Sequence, residues 1–280
     1  MLKVFGFVRR HERLSHDEYR AAHAGYHNSY GRRLNGIRGY LLNVRANRTP
    51  ESVFADEAGY LTGGRPDDFD DRWDGYGQLM FDSLAAYLSA KSPARDRPGP
   101  AGLEDDQAVA AVGGDAPYLY SGPPIQFHVA EQVIVPVRRP EHKVFKVVHF
   151  ARRNPALDAE EFRARWYGSY GSLSRGVPGL LGHVLNVPTA LDVMTGFFTE
   201  ESGAFSADAA ARRGAFHACF DGIAEYWFTG PEAFRSWREA QSAALRELER
   251  ELFAGFFFQE VDETVAVLPD RLPPAPFYHR

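Results

Sequence analysis

His23 and His27 lie four residues apart in HDEYRAAHAGYHNSY, so on a helix they share one face. An imidazole titrates near neutrality, which makes each a candidate general acid or base. The alternative for either is a hydrogen-bonded side chain packed against a sheet. The spacing also suits a metal, but no HExxH is present and the sequence names no third ligand. Two more ionisable residues interrupt apolar runs: His149 in VFKVVHF and Glu225 in IAEYWF. Burial pushes a carboxyl up toward proton transfer unless a cation or donors hold it ionised. Glu225 is therefore an acid or base, a His-orienting group, or a rim or ion-paired glutamate. Tyr26, Tyr40, His183, Gln78 and Trp227 are candidates to hold a substrate.

These residues need a scaffold, and the chain carries one twice. Residues 3–44 align without a gap onto 146–187 at an offset of 143, with 17 of 42 pairs identical. WDGYGQLMFDSLAAYL from Trp73 matches FDGIAEYWFTGPEAFR from Phe220 at an offset of 147, and AEQVIV from Ala130 resembles DETVAV from Asp262. The 280 residues thus divide into two copies of one unit, 1–140 and 141–280.

Each unit reads β-α-β, β-α-β. VFGFV and VFKVVHF are β-rich runs, and Ser15 to Glu18 has the form of a capping box, with Asp158 to Glu161 its counterpart. A Gly-rich break precedes GYLLNV and GHVLNV, the second strands. YGQLMF and IAEYWF are third strands, 83–90 and 231–240 second helices, and VAEQVIVPV and EVDETVAVL closing strands. Four strands and two helices in this order make a ferredoxin-like unit whose helices cover one sheet face. The fold class expected is α+β: two tandem ferredoxin-like units packed sheet on sheet as an intrachain pseudo-dimeric α+β barrel, helices outside and a cavity inside. The bulky Phe5 and Phe7 are expected to meet the helices, placing His149 on the cavity face, where Gly6 leaves room in the first copy. Gln78 and Glu225 occupy equivalent mid-strand positions.

Several motifs narrow the family. R-R, then (D/E)-E-(Y/F)-R, an aromatic or His four residues later, His27, a G-(I/L)-x-G-(Y/H)-x-x-N turn and (W/F)-D-G-x-x-x-(L/Y)-x-F resemble the EthD domain of the dimeric α+β barrel superfamily. The resemblance covers nearly all the chain as two copies and is weakest at 48–72, 92–125 and 190–216. It implies a cofactor-free decarboxylase, dehydratase or cyclase, a small monooxygenase or, more distantly, a heme enzyme. It also implies that the family's helix His falls on His27; the second copy departs from the pattern with Tyr170 there and Trp166 opposite His23.

Composition excludes other classes. A formal charge of -5 offers no field to attract nucleic acid or anionic lipid. No run approaches the roughly 20 apolar residues of a membrane helix. A single cysteine, Cys219, allows no intrachain disulfide, and the start shows no signal pattern, so the expected location is cytoplasmic. No GxGxxG follows a first strand, and neither GxxxxGK[ST] nor GxSxG occurs, so no cofactor and no metal are expected. The function expected is a lyase, isomerase or cyclase acting on an aromatic or polyketide-like small molecule, as a monomer or homodimer. His27 would be the base, with Glu225 or His149 orienting it or returning the proton. A cofactor-free or heme-dependent oxygenase and a non-catalytic binding barrel are the alternatives. Residues 92–125 form a Pro/Gly-rich connection read as a lid or surface packing, with a short helix around 104–112, and 242–253 reads as an amphipathic helix.

Overall fold

The computed structural model describes residues 1–32, 34–46, 65–90, 115–240 and 243–269. The expected helix at 104–112 and the tail from 270 lie outside the described residues. Eight antiparallel strands, β1 (Leu2–Val8), β2 (Ile37–Arg45), β3 (Gly75–Phe81), β4 (Ile125–Val135), β5 (Phe145–Arg153), β6 (Leu180–Pro188), β7 (Gly222–Phe228) and β8 (Phe253–Val267), close one α+β barrel. They run in the order β1-β3-β2-β8-β5-β7-β6-β4. The two longest strands link the halves of the chain. Ile125 to Val129 of β4 pair with β1 and Val129 to Val135 with β6, while Phe253 to Val261 of β8 pair with β5 and Val261 to Val267 with β2.

Helices cover the outside. In the first half these are α1 (His16–Ala21), a π-helical turn (Ala22–His27) and α2 (Asn28–Gly31), followed later by α3 (Leu84–Leu88) and α4 (Ala116–Leu119). In the second half, α5 (Ala159–Arg165), a π-helical turn (Trp166–Tyr170) and α6 (Gly171–Leu173) precede α7 (Ala207–His217), α8 (Pro231–Glu239) and α9 (Ala243–Leu252). Ser15 opens α1 as a complete capping box: the Glu18 N–H donates to its Oγ at 3.3 Å and its own N–H donates to Glu18 Oε2 at 2.8 Å. Such a cap stabilises a helix by about 1 kcal/mol. Gly36 and Gly179, at φ of 73° and 75°, turn the chain into β2 and β6, a conformation open to glycine at little cost.

The interior of the barrel is filled. Phe5, Phe7, Tyr76, Phe127, Val148, Phe150, Ile223 and Phe257 form one core drawn from strands of both halves, closed further by Phe69, Trp73, Phe216 and Phe220. The expected facing of β1 and β5 is therefore reversed: the large rings point inward, and Gly6 and His149 face the helices. On β3 and β7, Leu79, Phe81, Tyr226 and Phe228 pack on the helical side.

Beside this aromatic core runs a buried ionic network. Lys3 reaches Glu131 at 2.8 Å and Asn186 at 2.9 Å; Lys146, 143 residues on, reaches Glu263 at 2.8 Å and Asn43 at 2.7 Å. Glu225 joins the two sets, 3.2 Å from Lys3 and 2.7 Å from Lys146, and accepts from the Tyr76 hydroxyl at 3.0 Å and from the Gln78 amide. Every charge in it has an opposite partner, which is what a water-poor interior demands.

Candidate active site

A cleft lies between the first half's helical layer and the outer face of its sheet. A cavity of about 480 Å³ is floored by Gly6 and Val8 of β1, Gly77 and Leu79 of β3, Tyr40 of β2 and Gln126 of β4, and walled by His23, His27 and Leu34. Its cover comes from two connections: Ala116, Pro117 and Tyr120 at the end of the long Pro/Gly-rich segment, and Phe197, Phe198, Glu201 and Ser202 from the second half. Bare backbone at Gly6 and Gly77 makes the room. In the second half the positions paired in the same way hold His149, Ala224 and Phe258, and that space is packed solid.

The π-helical turn presents both histidines to this cavity. Tyr19, His23 and His27 stack as a column, with ring centroids 5.1 Å and 5.5 Å apart and interplanar angles of 19° and 9°. The Tyr120 ring stands edge-on to both imidazoles, and its hydroxyl lies 2.9 Å from His23 Nδ1. Burial, with a smaller contribution from nearby His27, pushes the His23 imidazole well below its ordinary range, so it stays neutral. π-helical turns often mark functional sites. Here one occurs in each half, so it belongs to the scaffold, and the side chains on it make the difference.

His27 Nδ1 lies 2.8 Å from Oδ2 of Asp115, whose side chain is buried. A carboxylate only accepts hydrogen bonds, so Nδ1 is the donor, and in the neutral imidazole this leaves the lone pair on Nε2. Asp115 reaches this place because α4 is tied to the end of β1. The His11 N–H donates to the Leu119 carbonyl at 2.7 Å and the Ser121 N–H to the Arg9 carbonyl at 3.0 Å, while Asp115's own carbonyl accepts from Tyr118 and Leu119. A dyad of this form can abstract a proton and hold the resulting imidazolium against its carboxylate.

Of the residues singled out from sequence, the structure brings His23, His27 and Tyr40 to the cavity. His149 lies instead in the second half's helix–sheet core, fully buried among Trp166, Tyr170, Phe253, Phe256 and Phe258, with neither ring nitrogen hydrogen-bonded among the described residues. Its place across the sheet from the expected face follows from the inward turn of Val148 and Phe150. Glu225 and Gln78 are buried, bonded to each other, and do not line the cavity. Burial pushes the Glu225 carboxyl up, but the Lys146 and Lys3 ammoniums outweigh this and hold it well below the carboxylate range, so it is a fixed anion and no proton donor. Trp227 donates from Nε1 to Glu263 at 3.1 Å, with Lys146 4.4 Å above its ring. His183 is bonded through Nδ1 to Ser174 Oγ at 2.6 Å and stacked on Tyr226. Tyr26 is 55% exposed on the outside of the helix. Asp74 and Asp221 serve as turn anchors, accepting the Arg10 and Arg153 N–H groups at 2.9 and 2.8 Å.

Sequence reasoning missed Asp115, Tyr120 and Gln126. The first two sit at the end of a segment with no periodicity, where nothing marks a partner 88 residues distant. Gln126 carried one signal, an amide in an otherwise apolar strand start, IQF. Among the described residues no group of three or more His, Cys, Asp or Glu side chains is arranged to hold a metal ion. Among them, too, no helix is long and apolar enough to cross a membrane.

No protein-family model and no curated protein matches the chain. Solved structures do share its fold. The "putative monooxygenase" of Fusobacterium nucleatum subsp. nucleatum superposes with a TM-score of 0.52 at 10% identity, covering 94% of this chain and 92% of its own. An anthrone oxidase-like protein gives 0.52 at 9% identity, covering 98% and 96%. At this identity the likeness is one of fold: an eight-stranded α+β barrel shared with proteins named for oxidation. The lyase, isomerase or cyclase class expected from sequence is corrected on this ground, since these neighbours carry monooxygenase and oxidase-like names. So is its setting, because the barrel interior is packed and the cavity lies outside the sheet.

Proposed function

We propose that the chain is an oxygenase that oxidises a small aromatic molecule with molecular oxygen, with His27 as general base. The observation that carries this reading is the His27–Asp115 pair, 2.8 Å apart, on the wall of a mainly apolar cavity. Names of the proteins that share the fold support the reaction class, and the anthrone of one of them suggests the kind of substrate: an aryl ketone or phenol with an acidic CH₂.

The chemistry balances with the substrate as its own reductant. His27 Nε2 takes one proton from the CH₂, and the carbanion, delocalised into the rings and the carbonyl, bonds to one atom of O₂. Protonation of the distal oxygen gives the hydroperoxide. Loss of the second C–H proton to the base then drives electrons into the C–O bond as the O–O bond breaks, so that R₂CH₂ + O₂ becomes R₂C=O + H₂O. Apolar walls exclude the water that would reprotonate the carbanion. Neutral His23 places no second cation beside the imidazolium that forms on His27.

Turnover of anthrone under ¹⁸O₂ tests the reading. One labelled oxygen is expected in the new carbonyl; label arriving from H₂¹⁸O instead would overturn it.

We further read the barrel as two ferredoxin-like units, 1–140 and 141–280, in EthD-like tandem. In each half the strands run 4-1-3-2, and the Lys3–Glu131–Asn186 and Lys146–Glu263–Asn43 sets are related by the repeat. Co-expression of the two halves as separate chains is expected to rebuild the barrel.

A further inference from the structure

We propose that Gln126 is the hydrogen-bond donor that holds a carbonyl or phenolate oxygen of the bound molecule, and that Tyr87 positions it. The inference rests on the aromatic-oxygenase reading for the class of molecule, and on geometry for the rest.

Gln126 stands on β4 directly opposite Gly6 of β1. A Cβ built on Gly6 would lie 3.4 Å from its Cγ and 3.6 Å from its Nε2, so the amide spreads over bare backbone on the cavity floor. The Tyr87 hydroxyl, from α3, donates to Gln126 Oε1. Tyr87 is itself immobilised, fully buried and stacked on Phe197 with centroids 4.3 Å apart. With Oε1 engaged, the amide NH₂ is the end left to the cavity, and among the described residues it donates to none. It is not sealed off either, since it is absent from the buried unpaired polar atoms.

A fixed donor on an apolar wall is placed to pair with an acceptor that a bound molecule carries into the cavity. The other half supplies the contrast. There the same strand position is Phe258, paired with His149 and packed into the aromatic core. The donor appears where the space does. His27 removes a proton at the helical wall; an amide N–H at the sheet wall strengthens its bond as negative charge grows on the substrate's oxygen, the type of assistance that lowers a barrier most.

The test is binding, which needs no turnover. Dissociation constants of 1-hydroxyanthraquinone and of anthracene, the second lacking oxygen, are measured by fluorescence quenching for wild type, Gln126→Leu, Tyr87→Phe and His27→Gln. Gln126→Leu is expected to weaken the hydroxyanthraquinone about 10-fold and anthracene less than about 2-fold, the size of one hydrogen bond to a charged or polarised oxygen. Tyr87→Phe should lose a smaller part of the same discrimination by freeing the amide. Equal affinities of wild type and Gln126→Leu for both probes, or an equal loss for both, would overturn the proposal. Circular dichroism separates folding failure from either result, and Tyr87→Phe, which deletes one oxygen, then decides it. The two readings fail apart: a His27→Gln variant that keeps both the discrimination and wild-type turnover removes the base and leaves Gln126 standing.

Discussion

Gly6 and His149 occupy the same place on the first strands of the two halves, Gly6 paired with Gly77 and Gln126, His149 with Ala224 and Phe258. One pairing leaves a cavity and the other a solid core. Gly6 has no positive φ, so a side chain is compatible with its backbone. Gly6→Val is therefore expected to fold, because its Cβ meets only the Gln126 side chain at ordinary contact distance, while weakening hydroxyanthraquinone binding at least about 10-fold by occupying the floor. Parallel melting and binding curves check this; unchanged affinity would show that the cavity floor is not where the molecule sits.

The buried network sets a second expectation. Glu225 is shared by Lys3 and Lys146, each of which also has a carboxylate of its own in Glu131 or Glu263, so Glu225→Gln removes the buried anion that joins the two pairs. Removing one partner of a buried ion set typically costs about 3–5 kcal/mol. Urea unfolding should show a loss of that order, with the remaining folded protein retaining oxygen uptake per molecule. A large loss of turnover with unchanged stability would instead place Glu225 in the chemistry.

Acid should unfold the second half's core through its histidines. Burial depresses the His183 imidazole to about 3, and burial, then Arg238 and His183, pushes His149 well below its ordinary range. Both pKa values are lower folded than unfolded, so their contribution is complete above about 6.5 and is lost as pH falls from there toward 3. Each histidine steepens the fall by about 1.4 kcal/mol per pH unit. His149→Leu should match or exceed wild type at pH 7, because it removes unpaired ring nitrogens, and should lose its share of the slope between pH 6 and 4. Urea unfolding at four pH values reads this directly, and an unaltered slope would contradict it.

Much of the scaffold was legible in the chain because it is written twice. The ungapped repeat, the capping box at Ser15, the Asp158 cap and the turn glycines led to the strands and long helices that are seen. The facing of β1 was not legible, since both of its faces are apolar and Phe5, Phe7, Val4 and Val8 are all buried. An eight-stranded barrel has an interior that side chains can just fill, so the larger rings went inward and the face with Gly6 became the site. Lys3, Asn43 and Glu131, repeated as Lys146, Asn186 and Glu263, carried a signal of a shared buried network that parity arguments passed over. Asp115 could not be found that way: its pairing with His27 depends on how α4 docks against β1, a tertiary event with no local pattern.

His27 is where the account is most exposed. Oxygen consumption on anthrone, followed with an oxygen electrode for wild type, His27→Gln and Asp115→Asn, tests it most directly. General-base assistance is typically worth about 100 to 10,000-fold, so His27→Gln should lose turnover in that range while binding hydroxyanthraquinone nearly as wild type does. Asp115→Asn should fall in the same direction, because an amide no longer fixes the tautomer or balances the imidazolium. His27→Gln turning over at the wild-type rate would contradict the account.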